Sequence, residues 1–222
     1  MPQQRDRAIC LRKIEYSETS QILTLMTYQH GIVRAIAKGA HRRTKAGASS
    51  FDGGIDLLDY GEALWVEHTS RELSTLTQWK LLDGFLGLRQ SLRAMLLAQA
   101  AAEAITVLLA DHDPHPMLFG RLRMALPRLA GAQREAQFVA LLSDAIQYAG
   151  FLPDWNELPG LNGAGGAVAV RLASMIANLP RERGAVRGLP ELTPLQVKPL
   201  TRALLGHVEA VTQKPLQTRR FV

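Results

Sequence analysis

The residues best suited to chemistry are five cations in the stretch GIVRAIAKGAHRRTKAG, residues 31–47. No Asp or Glu occurs between Thr19 and Phe51, so nothing nearby in the sequence opposes their charge. Clustered Lys and Arg side chains bind phosphate oxygens without reading base sequence, and such binding depends strongly on salt. We therefore predict a DNA-binding site, with a solvated basic hairpin that has no partner as the alternative, at Arg34, Lys38, Arg42, Arg43 and Lys45.

Two other groups of residues could bind or react, and we interpret both as structural. The segment DHDPH, Asp111–His115, has residue types that bind metals. It also lies beside two prolines between predicted helices, which favours a helix-connecting loop over a metal site. Cys10 is the only cysteine, which excludes an internal disulfide and a Cys-based zinc cluster and favours a buried thiol.

Catalytic and cofactor motifs are absent from the sequence. It contains no G-x-x-x-x-G-K-[ST] phosphate loop, no dinucleotide fingerprint and no G-x-S-x-G elbow. Four carboxylates spaced along a loop and strand are better explained as a solvated edge than as an acid–base pair: Asp52, Asp56, Asp59 and Glu62. We expect no enzyme activity, no cofactor and no metal.

The composition of the chain indicates its class of partner. Lys plus Arg exceed Asp plus Glu by 26 − 20, a net charge of +6, and the pI is near 9.8. This balance favours phosphate polyanions or acidic protein segments as partners. The longest apolar runs are interrupted by Gln99 and Glu103, and no leader-like segment opens the sequence. We therefore expect a soluble cytoplasmic protein.

The first 81 residues have the pattern of strands. Five short runs rich in Ile, Val, Leu, Thr and Trp are divided by glycine turns: RAICLRKI, SQILTLMTY, GIVRAIAKG, EALWVEHTS and LSTLTQWKLL. Five strands without a long helix favour a closed barrel, because closure removes exposed edges. We predict an OB-type barrel, with an SH3-like barrel as the alternative.

Alternation along the third run predicts which of its side chains share a surface. Val33, Ala35 and Ala37 should face one side, and the other side should carry Arg34, Ile36 and Lys38. Single-stranded nucleic acid binds such barrels through cations and aromatic platforms. The candidate platforms, each with the barrel core as the alternative, are Tyr28, Phe51, Tyr60 and Trp65.

From Leu86 the apolar period becomes helical. We predict a long Ala-rich helix, a shorter one disturbed by Pro127, and a helix ended by Gly150. A last helix begins with the capping box TPLQ at Thr193. The predicted fold class is therefore α+β, with a barrel domain at 1–81 and an all-helical domain at 82–222 that includes a glycine-rich irregular segment near 156–190.

A second basic segment lies near the C-terminus, with a disordered cationic tail as the alternative interpretation. Its cations, opposed only by Glu209, are Lys198, Arg202, Lys214, Arg219 and Arg220.

Three sequence blocks resemble the bacterial recombination mediator family RecO. The opening AICLRKIEYSETSQILTLMTYQHGIVRAIAKGAHRRTK resembles that family's N-terminal signature, YAGFLPD its junction after a long helix, and QKPLQTRRF its ending. The resemblance implies an OB-fold domain and a helical domain. It also implies binding of single- and double-stranded DNA, annealing of complementary strands, and help in replacing the single-strand-binding protein with the recombinase.

The implied protein partners are RecR and the acidic C-terminal tail of the single-strand-binding protein. Many relatives carry a four-cysteine zinc site where this chain has WNELPGLNGAGGAVAV, so zinc is not expected. A receptor for an acidic tail with a terminal Phe needs an apolar slot beside cations. Six residues of the helical half are candidates: Arg121, Arg123, Arg128, Arg134, Phe138 and Leu141. The alternative function is a protein adaptor whose basic surface binds acidic peptides and never DNA.

Overall fold

The computed structural model describes residues 3–40, 50–51, 54–68, 72–155, 158, 164–182 and 185–222. The chain divides into two compact units. The barrel unit contains residues 1–85 and 109–119, and the helical unit contains residues 86–108 and 120–222. The barrel unit thus includes a segment from the middle of the chain, which the sequence pattern did not indicate. The domain division between residues 81 and 82 stays a prediction.

Five strands form a closed barrel in the order β1-β2-β3-β5-β4. All neighbours pair antiparallel except β3 and β5, which pair in parallel. The predicted OB-type barrel is therefore confirmed. The strands are β1 Gln3–Ser17, β2 Ser20–Thr27, β3 Ile32–Ala37, β4 Tyr60–Val66 and β5 Ser74–Asp83.

The barrel core consists of the inward-facing residues of these strands. Trp65 and Trp79 are the largest fully buried side chains in the described residues. Gly61 gives one of them its space, because a Cβ there would lie 2.6 Å from the Trp79 ring. Cys10 is fully buried, as predicted, and its burial raises the pKa of the thiol far above its ordinary value. A thiol in this environment is not a nucleophile.

The remaining elements follow β5 in the chain, and most of them belong to the helical unit. They are α1 Leu86–Arg89, α2 Leu92–Leu108, α3 Pro116–Ala125, a 3-10 helix Leu126–Ala130, α4 Arg134–Tyr148, α5 Ala164–Asn178, the short strands β6 Arg181–Glu182 and β7 Ala185–Val186, α6 Pro194–Thr212, and a 3-10 helix Gln217–Phe221. Every residue from Ala136 to Ile146 is buried, so α4 is the central helix of the unit. Helix α6 begins with the predicted capping box between Thr193 and Gln196.

Two parts of the helical unit are more regular than the sequence suggested. Helix α5 begins at Ala164 and includes Gly165 and Gly166, inside the segment predicted to be irregular. Glycine has a low helix propensity, but α5 buries Ala173 and Ile176, and such packing supplies most helical stability in proteins. The C-terminal residues form a 3-10 helix rather than a disordered tail.

The C-terminal helix is held by Glu103 of α2. One of its carboxylate oxygens accepts a hydrogen bond from the Gln217 amide at 2.8 Å, and the other accepts one from the Thr218 amide at 2.9 Å. Arg219 forms an ion pair with Glu209 of α6. The charge of Arg219 is therefore offset within the helical unit.

Candidate nucleic-acid interface

The register of β1, β2 and β3 aligns outward-facing residues in rows across the barrel. Side chains directly opposite each other on antiparallel strands lie on the same face of the sheet. Arg12 lies opposite Thr24, which lies opposite Arg34. The next row contains only isoleucines: Ile14, Ile22 and Ile36. We call these two rows, together with Tyr16 and Lys38, the outer face.

The outer face is unusual because its central row is apolar and accessible to solvent. Ile14 is 42% exposed, and Ile22 and Ile36 are half-buried. Tyr16, two residues beyond Ile14 on β1, is 64% exposed. Accessible apolar rows with a polar rim mark binding surfaces. Because cations stand on both sides of the row, the partner that fits best carries both apolar groups and negative charge.

The three described cations of the outer face differ in what surrounds them. Arg34 forms an ion pair with Asp111, with Nε 3.0 Å from Oδ2. Arg34 has no acidic neighbour in the sequence, but the fold brings Asp111 next to it. Arg12 and Lys38 are exposed and form no ion pair or side-chain hydrogen bond with any part of the chain that the structure describes. Their charges are available to a ligand.

A cleft of about 480 Å³ opens at the Tyr16 end of the outer face. Tyr16 and Ile36 supply apolar walls, and Lys38 supplies the charge. None of the described lining residues is acidic. The remaining lining residues are Thr19, Ser20, Gly39, Ser50 and Phe51.

The predicted DNA-binding residues divide into two groups. Arg34 and Lys38 lie on the outer face, on either side of Ile36, and the alternate residues Val33, Ala35 and Ala37 are buried, as the alternation predicted. The others lie outside the described residues: Arg42, Arg43 and Lys45.

Three of the four aromatic residues that the sequence offered as stacking platforms are buried in the barrel core. Phe51, Tyr60 and Trp65 are at most 6% exposed, so for them the core alternative is correct. Tyr28 is half-buried, with Arg7 over its ring at 4.4 Å. The exposed aromatic residue of the outer face is Tyr16, which the sequence analysis did not consider.

Sequence reasoning missed Tyr16 because it followed alternation along β3 alone. The same alternation along β1 groups three outward residues, Arg12, Ile14 and Tyr16. Joining them to β3 needs the register through β2, and irregularities between Cys10 and Arg12 and between Glu15 and Ser17 shift that register. A bulge changes which face a residue occupies and is difficult to predict from sequence.

In the helical unit, the two apolar candidates for peptide binding are buried. Phe138 and Leu141 of α4 are at most 1% exposed, so a peptide ring cannot reach them in this conformation. Arg134 donates hydrogen bonds to the Gly131 carbonyl and the Ser91 hydroxyl, both at 2.9 Å, and thus braces the turn before α4.

The other three predicted arginines differ in exposure. The Arg121 side chain is only 12% exposed, and its Nε lies 3.9 Å from the buried Asp144 carboxylate. Arg123 and Arg128 are exposed.

Of the predicted peptide-binding residues, Arg128 lines a cleft among the described residues with a volume of about 380 Å³. Its apolar walls are Val186 and Leu189, and Glu191 adds a negative charge. Gln137, which also lines it, is 4% exposed, and within the described part of the chain its buried amide oxygen has no hydrogen-bond partner. The cleft combines a cation with apolar walls.

The segment Asp111–His115 lies between α2 and α3, as predicted. Asp111 pairs with Arg34, and Asp113 lies 3.2 Å from the His115 ring nitrogen. Within the described ranges, no group of three or more His, Cys, Asp or Glu side chains could hold a metal ion. The expected solvated edge of carboxylates is corrected at Asp59, which is 6% exposed and accepts a hydrogen bond from the Asp56 amide at 2.8 Å.

The protein has two units, and this architecture defines its class. One unit is a five-stranded OB-type barrel with a basic and apolar outer face, and the other is helical. Two family models identify the family within that class. Recombination protein O N terminal matches residues 1–85, and Recombination protein O C terminal matches residues 89–158. Together they match most of the chain, and the chain belongs to the RecO family.

Relatives with the name DNA repair protein RecO agree with this assignment. The chain is 36% identical to the protein of Salinibacter ruber over 125 residues, which are 56% of this chain and 46% of that relative. It is 37% identical to the Rhodopirellula baltica protein over 124 residues, 56% of this chain and 44% of the relative. These two matches span less than half of each relative's length. The match to the Anaeromyxobacter sp. strain K protein is 29% identical over 212 residues and covers 94% of this chain and 82% of the relative. Among the described residues, no helix is long and apolar enough to cross a membrane.

Proposed function

We propose that this protein binds single-stranded DNA through the outer face of its barrel and acts as a mediator of DNA repair and recombination. The observation that carries the proposal is the apolar row of Ile14, Ile22 and Ile36 with cations on both sides. A DNA strand complements this surface, because its bases have flat apolar faces that can contact the isoleucines and its phosphates are negative and can contact the cations. Membership in the RecO family supports the proposal.

The outer face suits annealing because it can hold a strand without covering its pairing edges. Cations neutralise the phosphates, which otherwise repel a second strand. Apolar side chains contact the faces of bases, and the Watson–Crick edges remain free to pair. No covalent bond is made or broken in annealing, so the proposed function requires no enzyme activity. Binding of double-stranded DNA would use the phosphate contacts alone.

We further propose that the protein helps the recombinase to load onto DNA coated by the single-strand-binding protein. The proposed protein partners are RecR, on the family resemblance alone, and the acidic tail of the single-strand-binding protein. The cleft beside Arg128 fits a peptide end best, because Val186 and Leu189 can receive an apolar side chain next to the cation. These partners imply a cytoplasmic protein.

An adaptor that binds only acidic peptides is the competing function. An acidic peptide with one terminal Phe would use Arg12, Arg34 and Lys38 and a single apolar contact. One ring does not account for three aligned isoleucines and an exposed tyrosine, whereas a row of bases does. The residues of the outer face therefore favour DNA.

An annealing assay tests the proposed function. Two complementary oligonucleotides, one labelled with a donor and one with an acceptor dye, should pair faster with the protein than without it, both bare and coated with single-strand-binding protein. Replacement of Arg34, Lys38, Arg42 and Arg43 with Ala should remove most of this acceleration. It should also reduce the log–log salt slope for duplex DNA by about 3 to 4.

If the folded parent protein anneals the strands no faster than they pair spontaneously, the proposal is contradicted. The same holds if the quadruple variant anneals them as fast as the parent does. Binding of an acidic peptide without any binding of oligonucleotides would establish the adaptor instead.

A further inference from the structure

We infer that Tyr16 stacks on one unpaired base of single-stranded DNA, whose phosphate contacts Lys38 in the cleft at the end of the outer face. This inference rests on the proposed binding of DNA by the barrel. It adds a residue and a specificity that the phosphate contacts do not supply, namely a preference for unpaired over paired strands.

The exposure of Tyr16 points to a ligand. Its side chain lies near the end of β1 and is 64% exposed, and it forms no ring contact or hydrogen bond within the described residues. Leaving so much aromatic surface in water is costly, at about 25 cal/mol for each Å². The other aromatic residues of the described barrel are half-buried, as Tyr28 is, or buried, as Trp65 and Trp79 are. Tyr16 is therefore free to contact a flat apolar group.

The cleft beside Tyr16 has the size and chemistry of a nucleotide site. Its volume of about 480 Å³ lies within the range of small-molecule sites, about 300–1,000 Å³. Ile36 is an apolar wall, and the Ser20 hydroxyl can bond to a sugar or base. Lys38 is the only charged lining residue among those described, so the site favours an anionic ligand.

A base is the part of DNA that fits this combination, and only when it is unpaired. In a duplex both faces of each base are covered by its neighbours, whereas every base of a single strand can expose a face for stacking. A stacked base presents its ring face to Tyr16 and leaves its Watson–Crick edge open. Stacking at this position is therefore compatible with annealing.

Binding of two oligonucleotides tests the inference. One is a dye-labelled thymidine oligonucleotide, and the other has the same length and phosphates but abasic sugars throughout. The parent should bind the thymidine strand more tightly. Tyr16→Ala should weaken binding of the thymidine strand about tenfold and leave binding of the abasic strand unchanged. Tyr16→Phe keeps the ring and should bind like the parent, whereas Tyr16→Leu keeps apolar surface without a ring and should bind like Tyr16→Ala.

The outcomes separate this inference from the proposed function. Lys38→Ala should weaken both strands, because it removes a phosphate contact. If Tyr16→Ala binds the thymidine strand as the parent does, or weakens both strands equally, stacking by Tyr16 is overturned while DNA binding by the barrel stands. Equal affinity of Tyr16→Leu and the parent would also overturn it. If the parent binds neither strand, the proposed function fails and this inference fails with it.

Discussion

Arg34 and Asp111 are separated by 77 residues in the chain, yet their side chains form an ion pair in the barrel unit. Both side chains are about half exposed, so solvent screens the pair and its contribution to stability is small. Its effect on binding is different, because a carboxylate at the outer face repels DNA phosphates and holds the guanidinium that could contact them. We therefore expect Asp111 to lower the affinity of the outer face for DNA.

Replacing Asp111 with Asn should tighten the binding of single-stranded DNA. The substitution keeps the size of the side chain, removes the negative charge and releases Arg34. We expect a severalfold gain in affinity at low salt, because the carboxylate no longer competes with DNA phosphates for Arg34, and a log–log salt slope close to that of the parent, since Arg34 contacts a phosphate in both proteins. Fluorescence anisotropy at several salt concentrations measures both quantities.

The exposed Asp113 provides a control for this substitution, since it lies two residues away and pairs with His115 rather than with a cation of the outer face. Asp113→Asn should change DNA affinity less than Asp111→Asn does. A loss of affinity in Asp111→Asn would show that the ion pair positions Arg34 for DNA instead of competing with it.

At the scale of elements, the outer face depends on the register of three strands. The alternation on β3 was sufficient to predict that Arg34, Ile36 and Lys38 share a surface. It was insufficient to place Arg12 and Tyr16 on that surface, because their position depends on a shift in the pairing of β1 with β2 after Cys10. The parallel pairing of β3 with β5 was also not predicted, since it joins residues about 39 apart in the chain, such as Ala35 and Ser74. Local pattern specifies which residues a strand buries, whereas the pairing of strands depends on the closed barrel.

The turn between β2 and β3 fixes this register and also touches the segment between α2 and α3. Gly31 has a φ of +68°, and a Cβ there would lie 2.3 Å from the Asp113 carbonyl oxygen. Its own carbonyl accepts hydrogen bonds from the Thr27 amide at 2.8 Å and the Thr27 hydroxyl at 2.9 Å. A side chain at this position therefore meets both an unfavourable backbone conformation and a collision with backbone atoms.

Gly31→Ala should lower the free energy of unfolding by about 2 kcal/mol or more, from left-handed strain of about 1–2 kcal/mol and the collision. Urea denaturation followed by tryptophan fluorescence is suitable, because Trp65 and Trp79 are buried in the barrel. Gly120→Ala on α3 is the matched control, since a Cβ there meets nothing within 4 Å and helix propensity favours Ala. A Gly31→Ala protein as stable as the parent would show that the turn and its neighbouring segment can move apart easily.

At the scale of the whole molecule, the net charge of +6 lies in the helical unit: the barrel unit has 11 Lys and Arg against 12 Asp and Glu, a net charge of −1, and the helical unit has 15 against 8, a net charge of +7. The barrel unit carries the cations of the outer face, and the helical unit carries exposed cations on and after α6: Lys198, Arg202 and Lys214. The sequence indicated both basic segments and the change from strands to helices near Leu86. It could not show that Asp111 offsets the charge of Arg34, because the two residues are 77 positions apart in the chain. It also could not show that Phe138 and Leu141 are enclosed by other helices, since an amphipathic pattern predicts burial of α4 only on one side.

The central claim is that the outer face, and not positive charge in general, binds single-stranded DNA. The most direct test compares two triple variants that each remove three positive charges, Arg12→Ala/Arg34→Ala/Lys38→Ala in the barrel unit and Lys198→Ala/Arg202→Ala/Lys214→Ala in the helical unit. The measurement is the salt dependence of binding to one thymidine oligonucleotide. We predict that the outer-face variant loses about 2 from its log–log slope, about 0.7 for each phosphate contact, and that the helical variant keeps the slope of the parent. Equal slopes in the two variants, or a larger loss in the helical variant, would contradict the claim.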